Sequence, residues 1–198
     1  MSIPGNPRPC GVEDAIARYG NPVEHAVEIP VSLETLNYWR DLKDGRTAEV
    51  VLLIRRRNGC YLLHTKTFYP EGIYRLPTGG IHAGEDLIEA ARREAVEETG
   101  LDVAVERFLG VLRHRFVHGE QEFHFTSYLI ELVETGGTLR AQDEDENISG
   151  YRETTIEGLE EAACQLESLT GRWRDWGTIR AAAHRLAARL LREGAKER

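Results

Sequence analysis

Short apolar runs separated by glycine- and charge-rich breaks fill most of the chain, and their spacing outlines its elements. Glu49 to Ile54 is the strongest strand signal, an apolar run that suits a buried central strand. Asn58-Gly59 reads as a tight hairpin turn and Cys60 to Thr65 as the return strand. Lys66 to Gly72 is a loop carrying Phe68 and Tyr69, and Ile73 to Leu76 a short extended piece. Val103 to Arg115 predicts one long strand, His118-Gly119-Glu120 a turn, and Glu122 to Leu132 its return. Phe123, Phe125 and Ser127 then face one way and His124, Thr126 and Tyr128 the other, with His114, His118 and His124 as surface strand residues. Thr135-Gly136-Gly137 predicts another turn, residues 141–147 an acidic loop, and residues 149–155 a last strand. A further strand is expected from His25 to Ile29.

Helical spacing marks Glu13 to Tyr19, Leu33 to Leu42, Asp86 to Glu98, Ile156 to Leu169 and Thr178 to Leu191. Ser32 is the expected N-cap of the second, with Leu33, Leu36, Tyr38 and Trp39 on its buried side. Gly100 stands where a left-handed C-terminal cap closes the third. Residues 1–11, with Pro4, Pro7 and Pro9, predict an extended or disordered arm, and Gly171 to Gly177 an aromatic linker. Strands, a helix, more strands and a last helix imply an α/β fold, a mixed sheet with helices on both faces.

At 198 residues there is material for one core with appendages. The net charge of −8 argues against general nucleic-acid binding. Three scattered cysteines, Cys10, Cys60 and Cys164, fit reduced thiols and not a disulfide or zinc framework. No apolar run approaches the roughly 18 residues of a membrane span, and the first residues do not resemble a signal peptide, so a cytoplasmic protein without membrane partners is expected.

The stretch from Leu76 to Leu101 carries the chemistry. Its first half is a loop punctuated by Pro77, Gly79, Gly80 and Gly84. Its helical half places Glu94, Glu97 and Glu98 at i, i+3 and i+4, on one face, beside an apolar stripe of Leu87, Ile88, Ala91 and Ala95. Like charges at that spacing repel by a few tenths of a kcal/mol per pair, roughly 0.2–0.5. A hard divalent cation reverses that sign. Glu85 can reach the same place from the loop, and Arg93, four residues from both Glu89 and Glu97, can tether a glutamate.

Gly79, five residues, Glu85, seven residues, then Arg93-Glu94-Ala95-Val96-Glu97-Glu98-Thr99-Gly100-Leu101 resembles the Nudix box, Gly-x5-Glu-x7-Arg-Glu-U-x-Glu-Glu-x-Gly-U with U a bulky aliphatic residue. Every glycine and charged position is filled; Ala95 is small for its U position. The resemblance implies an α/β/α sandwich, with a Nudix hydrolase domain at 46–170, an N-terminal arm and helix at 1–45, and a C-terminal helix at 171–198 packed on the domain or on a partner. It also implies hydrolysis of a diphosphate in a nucleoside diphosphate linked to another moiety, with Mg²⁺ or Mn²⁺ as cofactor. By similarity Glu94, Glu97, Glu98 and Glu85 are metal ligands, and Glu97, Glu94 and Arg93 catalytic. The general base stays open between Glu97 and Asp143, Glu144, Asp145 or Glu146. Arg75, Lys66, Tyr69, Gly79 and Gly80 are candidate substrate contacts, with Arg55 and Phe68 beside them. The downstream proline typical of the ADP-ribose type is missing, with Phe116 and Val117 in that region, and the marks of the NADH and coenzyme A types are absent too. A nucleotide-binding sensor and a diphosphate isomerase of the same fold are the alternatives. The N-terminal strand and helix outside the core would suit a homodimer.

Overall fold

The computed structural model describes residues 8–42 and 45–196, without the side chains of Glu144 and Lys196. The elements are α1 (Val12–Tyr19), β1 (Val23–Pro30), α2 (Leu33–Arg40), β2 (Ala48–Arg55), β3 (Tyr61–Lys66), β4 (Thr78–Gly80), α3 (Leu87–Thr99), β5 (Leu101–His118), β6 (Gln121–Gly137), β7 (Ile148–Thr154), α4 (Ile156–Glu167) and α5 (Arg174–Lys196). They form an α/β/α sandwich around an open, mixed, seven-stranded sheet in the order β1-β5-β6-β2-β3-β7, with β4 beside β2. The β1–β5 and β2–β6 pairs are parallel and the others antiparallel.

Strand β2 shows how the layers are built. Its side chains alternate between faces, and both faces are covered, so the run is apolar apart from Glu49 and the terminal Arg55. Val50, Leu52 and Ile54 pack with α1 and α3, through Val12, Ala15, Leu87, Ala91 and Ala95. Val51 and Leu53 pack with α4 and α5, through Leu159, Leu186, Ala187 and Leu190. At one end α2 seals the sheet with Leu36 and Trp39 against Phe116 and Phe125. Gly59 has φ +87°, as the Asn58-Gly59 hairpin turn requires. Ser32 accepts from the Thr35 N–H as the N-cap of α2, and Gly100 is left-handed at the end of α3.

Several expectations are corrected. Thr135-Gly136-Gly137 is not a turn: β6 continues to Gly137, opposite Leu101 and Asp102, because the long β5–β6 hairpin absorbs the extra residues at three register shifts. Part of the expected loop, Thr78 to Gly80, is the short strand β4 on β2. The aromatic linker is a turn of 3-10 helix, Gly171–Trp173, running directly into α5. Gly177 is no breaker; it lies within α5 where a Cβ would collide with the Leu166 carbonyl, so it marks close approach of two helices. Leu33 and Tyr38 are exposed, 42% and 64%, while Leu36 and Trp39 carry the burial of α2. The arm expected over residues 1–11 lies outside the described residues up to residue 7. From Arg8 it is ordered, and Cys10 accepts from the Leu87 N–H at the start of α3 (2.9 Å). None of the three cysteines is disulfide-bonded.

His114 is not a surface residue: it is buried, and its Nε2 lies 3.0 Å from the Ser127 hydroxyl. That hydroxyl donates to Glu49, which Arg180 of α5 grips at 2.8 and 3.0 Å. Burial works against the Glu49 charge, but Arg180 and Ser127 hold its carboxyl below the usual range. His184, also on α5, accepts the Leu76 N–H on Nε2 and faces the Arg180 carbonyl with Nδ1, which fixes a neutral tautomer. Its protonation would remove the acceptor that holds Leu76.

Gly177→Ala is expected to destabilise the fold by ~1–3 kcal/mol in urea denaturation, because the atom it meets is backbone. Burial lowers the pKa values of His114 and His184 to about 4. The unfolded chain, with histidines near 6.5, therefore takes up protons first as pH falls. Their contribution is complete above pH 6.5 and is lost towards pH 4, on the order of 3 kcal/mol each. His184→Gln should flatten the decline in unfolding free energy between pH 6.5 and 4; an unchanged slope counts against a neutral buried imidazole.

Candidate active site

Helix α3 starts where Asp86 accepts from the Ile88 and Glu89 N–H groups, and its apolar stripe seats it on the sheet. That seat decides what the acids face. Glu94 and Glu98, one turn apart, are buried at 6% and 0% exposure, while Glu97 is half-buried at the edge. Arg93 gathers the group. Its Nε and Nη2 donate to the two Glu85 oxygens (2.8 and 3.0 Å), Nη1 to Glu94 (2.8 Å) and Glu97 (2.9 Å), and Nη2 also to the Gly80 carbonyl (2.9 Å). Glu89, the other expected partner, pairs with Arg92. Arg93 holds the Glu85 carboxyl below the usual range, and the guanidinium's own pKa is raised in return.

Glu98 is different. Neither of its oxygens has a hydrogen-bond partner, although Lys66 Nζ lies 3.2 Å from Oε1 and His64 Nδ1 3.9 Å from Oε2. Burial raises its pKa to about 7 against the pull of Arg75 and Lys66. Burial also raises Glu94, against Arg93. His64 beneath it is fully buried with both ring nitrogens unpartnered, and burial pushes its pKa well down. Unpaired buried oxygens on this scale are rare in native proteins and point to a missing polar partner.

A cleft of about 310 Å³ opens over the cluster, lined by Glu94, Gly79, Gly80 and Thr78 from the box and by Lys66, Tyr69 and Arg75. Tyr38 and Trp39 of α2, Phe125 of β6, and Trp176 and Arg180 of α5 complete its walls. Lys66 bridges Glu98 and Glu146 (2.6 Å to Glu146). Tyr69 packs edge-on against Phe68 and Trp173 and tilted on Trp176, 4.8 Å away, and its hydroxyl accepts from Arg75. Arg75 is buried, and it also donates to the Leu76 carbonyl and the Thr78 hydroxyl, so it braces the loop. Gly79 is needed because a Cβ there would collide with the Glu94 carboxyl. Arg55 lies elsewhere, paired with Glu106 and Glu131. Of the acidic loop, Glu146 reaches the cleft; Asp143 accepts a local turn bond from the Asp145 N–H, and the Glu144 side chain is outside the described residues. The sequence reading missed Trp39, Trp176 and Arg180, which come from segments it placed outside the hydrolase domain, and Arg46 at that domain's first position. Trp39 and Trp176 were visible as large aromatics, but nothing in their spacing ties them to the box.

Among the described residues no three histidine, cysteine or acidic side chains stand close enough to hold a metal ion as they are placed. The ready-made carboxylate seat is therefore not assembled; Arg93 takes up lone pairs of Glu85, Glu94 and Glu97. The donor set nonetheless fits a hard divalent cation. It offers carboxylate oxygens only, two of them buried on Glu98 without a hydrogen bond, with Lys66 3.2 Å from one.

Residues 43–184 match the family profile described as NUDIX domain, and the chain belongs to that family. It is 34% identical over 94 residues to "ADP-ribose pyrophosphatase" of Methanocaldococcus jannaschii, covering 48% of this chain and 49% of that protein. It is 30% identical over 80 residues to "Nudix hydrolase 2" of Arabidopsis thaliana, covering 40% of this chain and 26% of that protein. The chain thus spans about half or less of these relatives' lengths. A solved NUDIX hydrolase from Nitrosomonas europaea aligns at TM-score 0.47 and 18% identity, covering 60% of this chain and 78% of the other.

Gly79→Ala is expected to weaken Mn²⁺ binding by about 10–100-fold, because Glu94 must move. Electron paramagnetic resonance without substrate measures it, and unaltered affinity would show that Glu94 is no ligand.

Proposed function

We propose that this chain is a divalent-metal-dependent pyrophosphohydrolase that cleaves the diphosphate of a nucleoside diphosphate linked to another moiety. The observation that carries it is Glu98, a fully buried carboxylate with no hydrogen bond to either oxygen, ion-paired at 3.2 Å to Lys66, which with Glu94 lines a polar, aromatic-walled cleft. With one lysine contact and no hydrogen bond such a group stays short of partners, and a divalent cation would complete it. Glu94 and Glu98 would hold Mg²⁺ or Mn²⁺, with Glu97 and Glu85 as further ligands. The metal supplies a polarised phosphorus–oxygen bond and a more acidic water. Arg93 keeps the acids gathered and positions the Gly80 carbonyl. Glu97 and Glu146 are the base candidates that stand beside the cluster or in the cleft. Tyr69, Trp39 and Trp176 offer faces and edges against which a nucleobase packs. Lys66 adds positive charge near the phosphates, and Arg75 holds the loop at Thr78.

On this reading residues 46–170 are the hydrolase domain. The N-terminal 1–45 and C-terminal 171–198 segments contribute the cleft's outer walls through Tyr38, Trp39, Trp176 and Arg180. The three cysteines are free, and no helix among the described residues is long and apolar enough to cross a membrane. The Methanocaldococcus relative's name puts ADP-ribose among the compounds to try.

A phosphate-release screen with Mg²⁺ and Mn²⁺ against nucleotide sugars, dinucleoside polyphosphates, NADH, ADP-ribose and nucleoside triphosphates tests the activity. Tight binding of one compound without turnover of any would replace the enzyme with a nucleotide sensor. Glu98→Gln should lower kcat at least ~100-fold. Its melting temperature at pH 8 should match or exceed the parent's, since ionised Glu98 opposes folding above its raised pKa of about 7. A wild-type rate in both Glu97→Gln and Glu98→Gln would remove the assigned roles.

A further inference from the structure

Four cations line the cleft, and three are already engaged. Lys66 pairs with Glu98 and Glu146. Arg75 binds Tyr69, Leu76 and Thr78. Arg180 grips Glu49 with Nη1 and lies 5.5 Å from the Trp39 ring. Arg46 alone has no hydrogen-bond, ion-pair or ring partner among the described residues, although it is half-buried.

Its position is built into the backbone. A Cβ on Gly80 would occupy the place of the Arg46 guanidinium, as one on Gly79 would occupy the Glu94 carboxyl. Successive positions of a strand face opposite ways, so the two glycines of β4 admit a cation on one side and an acid on the other. Both side chains line the same cleft. A half-buried guanidinium with no partner among the described residues has lost part of its hydration with no hydrogen bond there to replace it. Its planar fork matches two oxygens of a phosphate.

We infer that Arg46 is the substrate's phosphate clamp: it binds non-bridging oxygens of the diphosphate across β4 from the carboxylates, and the pair Gly79–Gly80 exists to seat the two charges on either side. This deepens the hydrolase reading and rests on it. It also accounts for a function of Gly80 that a flexible loop glycine would not have. Substrate is thereby selected for a phosphate chain long enough to span from the Glu94–Glu98 site to Arg46.

The test uses MgADP and inorganic pyrophosphate as probes, followed by quenching of the tryptophans that line the cleft, together with KM and kcat on whichever diphosphate the screen finds. Arg46→Ala is expected to weaken both probes and raise KM by roughly 10–100-fold, with a smaller change in kcat. Mn²⁺ affinity without substrate and melting temperature should stay at wild-type values. Arg46→Lys should recover part of the loss. Gly80→Ala meets the end of a flexible side chain, so it should fold and reproduce the Arg46→Ala defect, and the double variant should be no worse than either. Unchanged probe affinity and KM in Arg46→Ala, with wild-type turnover intact, would overturn the clamp and leave the hydrolase standing. Failure of the wild type to bind either probe or turn over any diphosphate would overturn both.

Discussion

Arg93 is the constraint around which the site is arranged. One guanidinium makes five hydrogen bonds, to three glutamates and the Gly80 carbonyl. A planar fork with fixed donor directions can do this; a lysine, with three freely rotating donors, cannot hold the same set. The consequence is that the box loop, through Gly80 and Glu85, is tied to the box helix, through Glu94 and Glu97. The repulsion among these three acids is offset, and Glu98 is left out of the arrangement, without a hydrogen bond and with Lys66 as its ion-pair partner.

The environment then separates carboxylates that look alike in sequence. Glu85 is held ionised by Arg93, Glu94 is pushed up by burial against the same arginine, and Glu98 is pushed furthest because it is buried with no hydrogen bond. Beneath the loop, Arg75 and His184 brace Leu76 and Thr78 from two directions, one from the strand side and one from α5. A helix at the far end of the chain thus sets the backbone from which β4 and the box begin. The same helix sends Arg180 into a buried chain of Glu49, Ser127 and His114, which ties α5 to the interior of the sheet.

Much of this was legible in the residues. The apolar run of β2, the Asn58-Gly59 turn, the Ser32 cap and the Gly100 cap are local signals, decided by side-chain period and backbone freedom within a few residues. Gly136-Gly137 and Gly177 misled because glycine serves two ends: it breaks elements, and it permits close approach. Only the neighbours, Leu101 and Asp102 in one case and the Leu166 carbonyl in the other, say which applies. His114 misled because alternation names a face without saying whether another layer covers it, and α2 covers that one.

The sequence by itself determined the box, its family and the carboxylates on one helical face, because fixed spacing along a helix is a one-dimensional property. Which of those acids lies buried without a hydrogen bond was decided by the tertiary structure, since desolvation depends on what packs around a side chain. So was the cleft, whose walls come from residues 38–39, 46, 66–80, 125, 146 and 176–180. Positions that far apart in the chain have no spacing rule to betray them; the sheet order and the return of α5 bring them together.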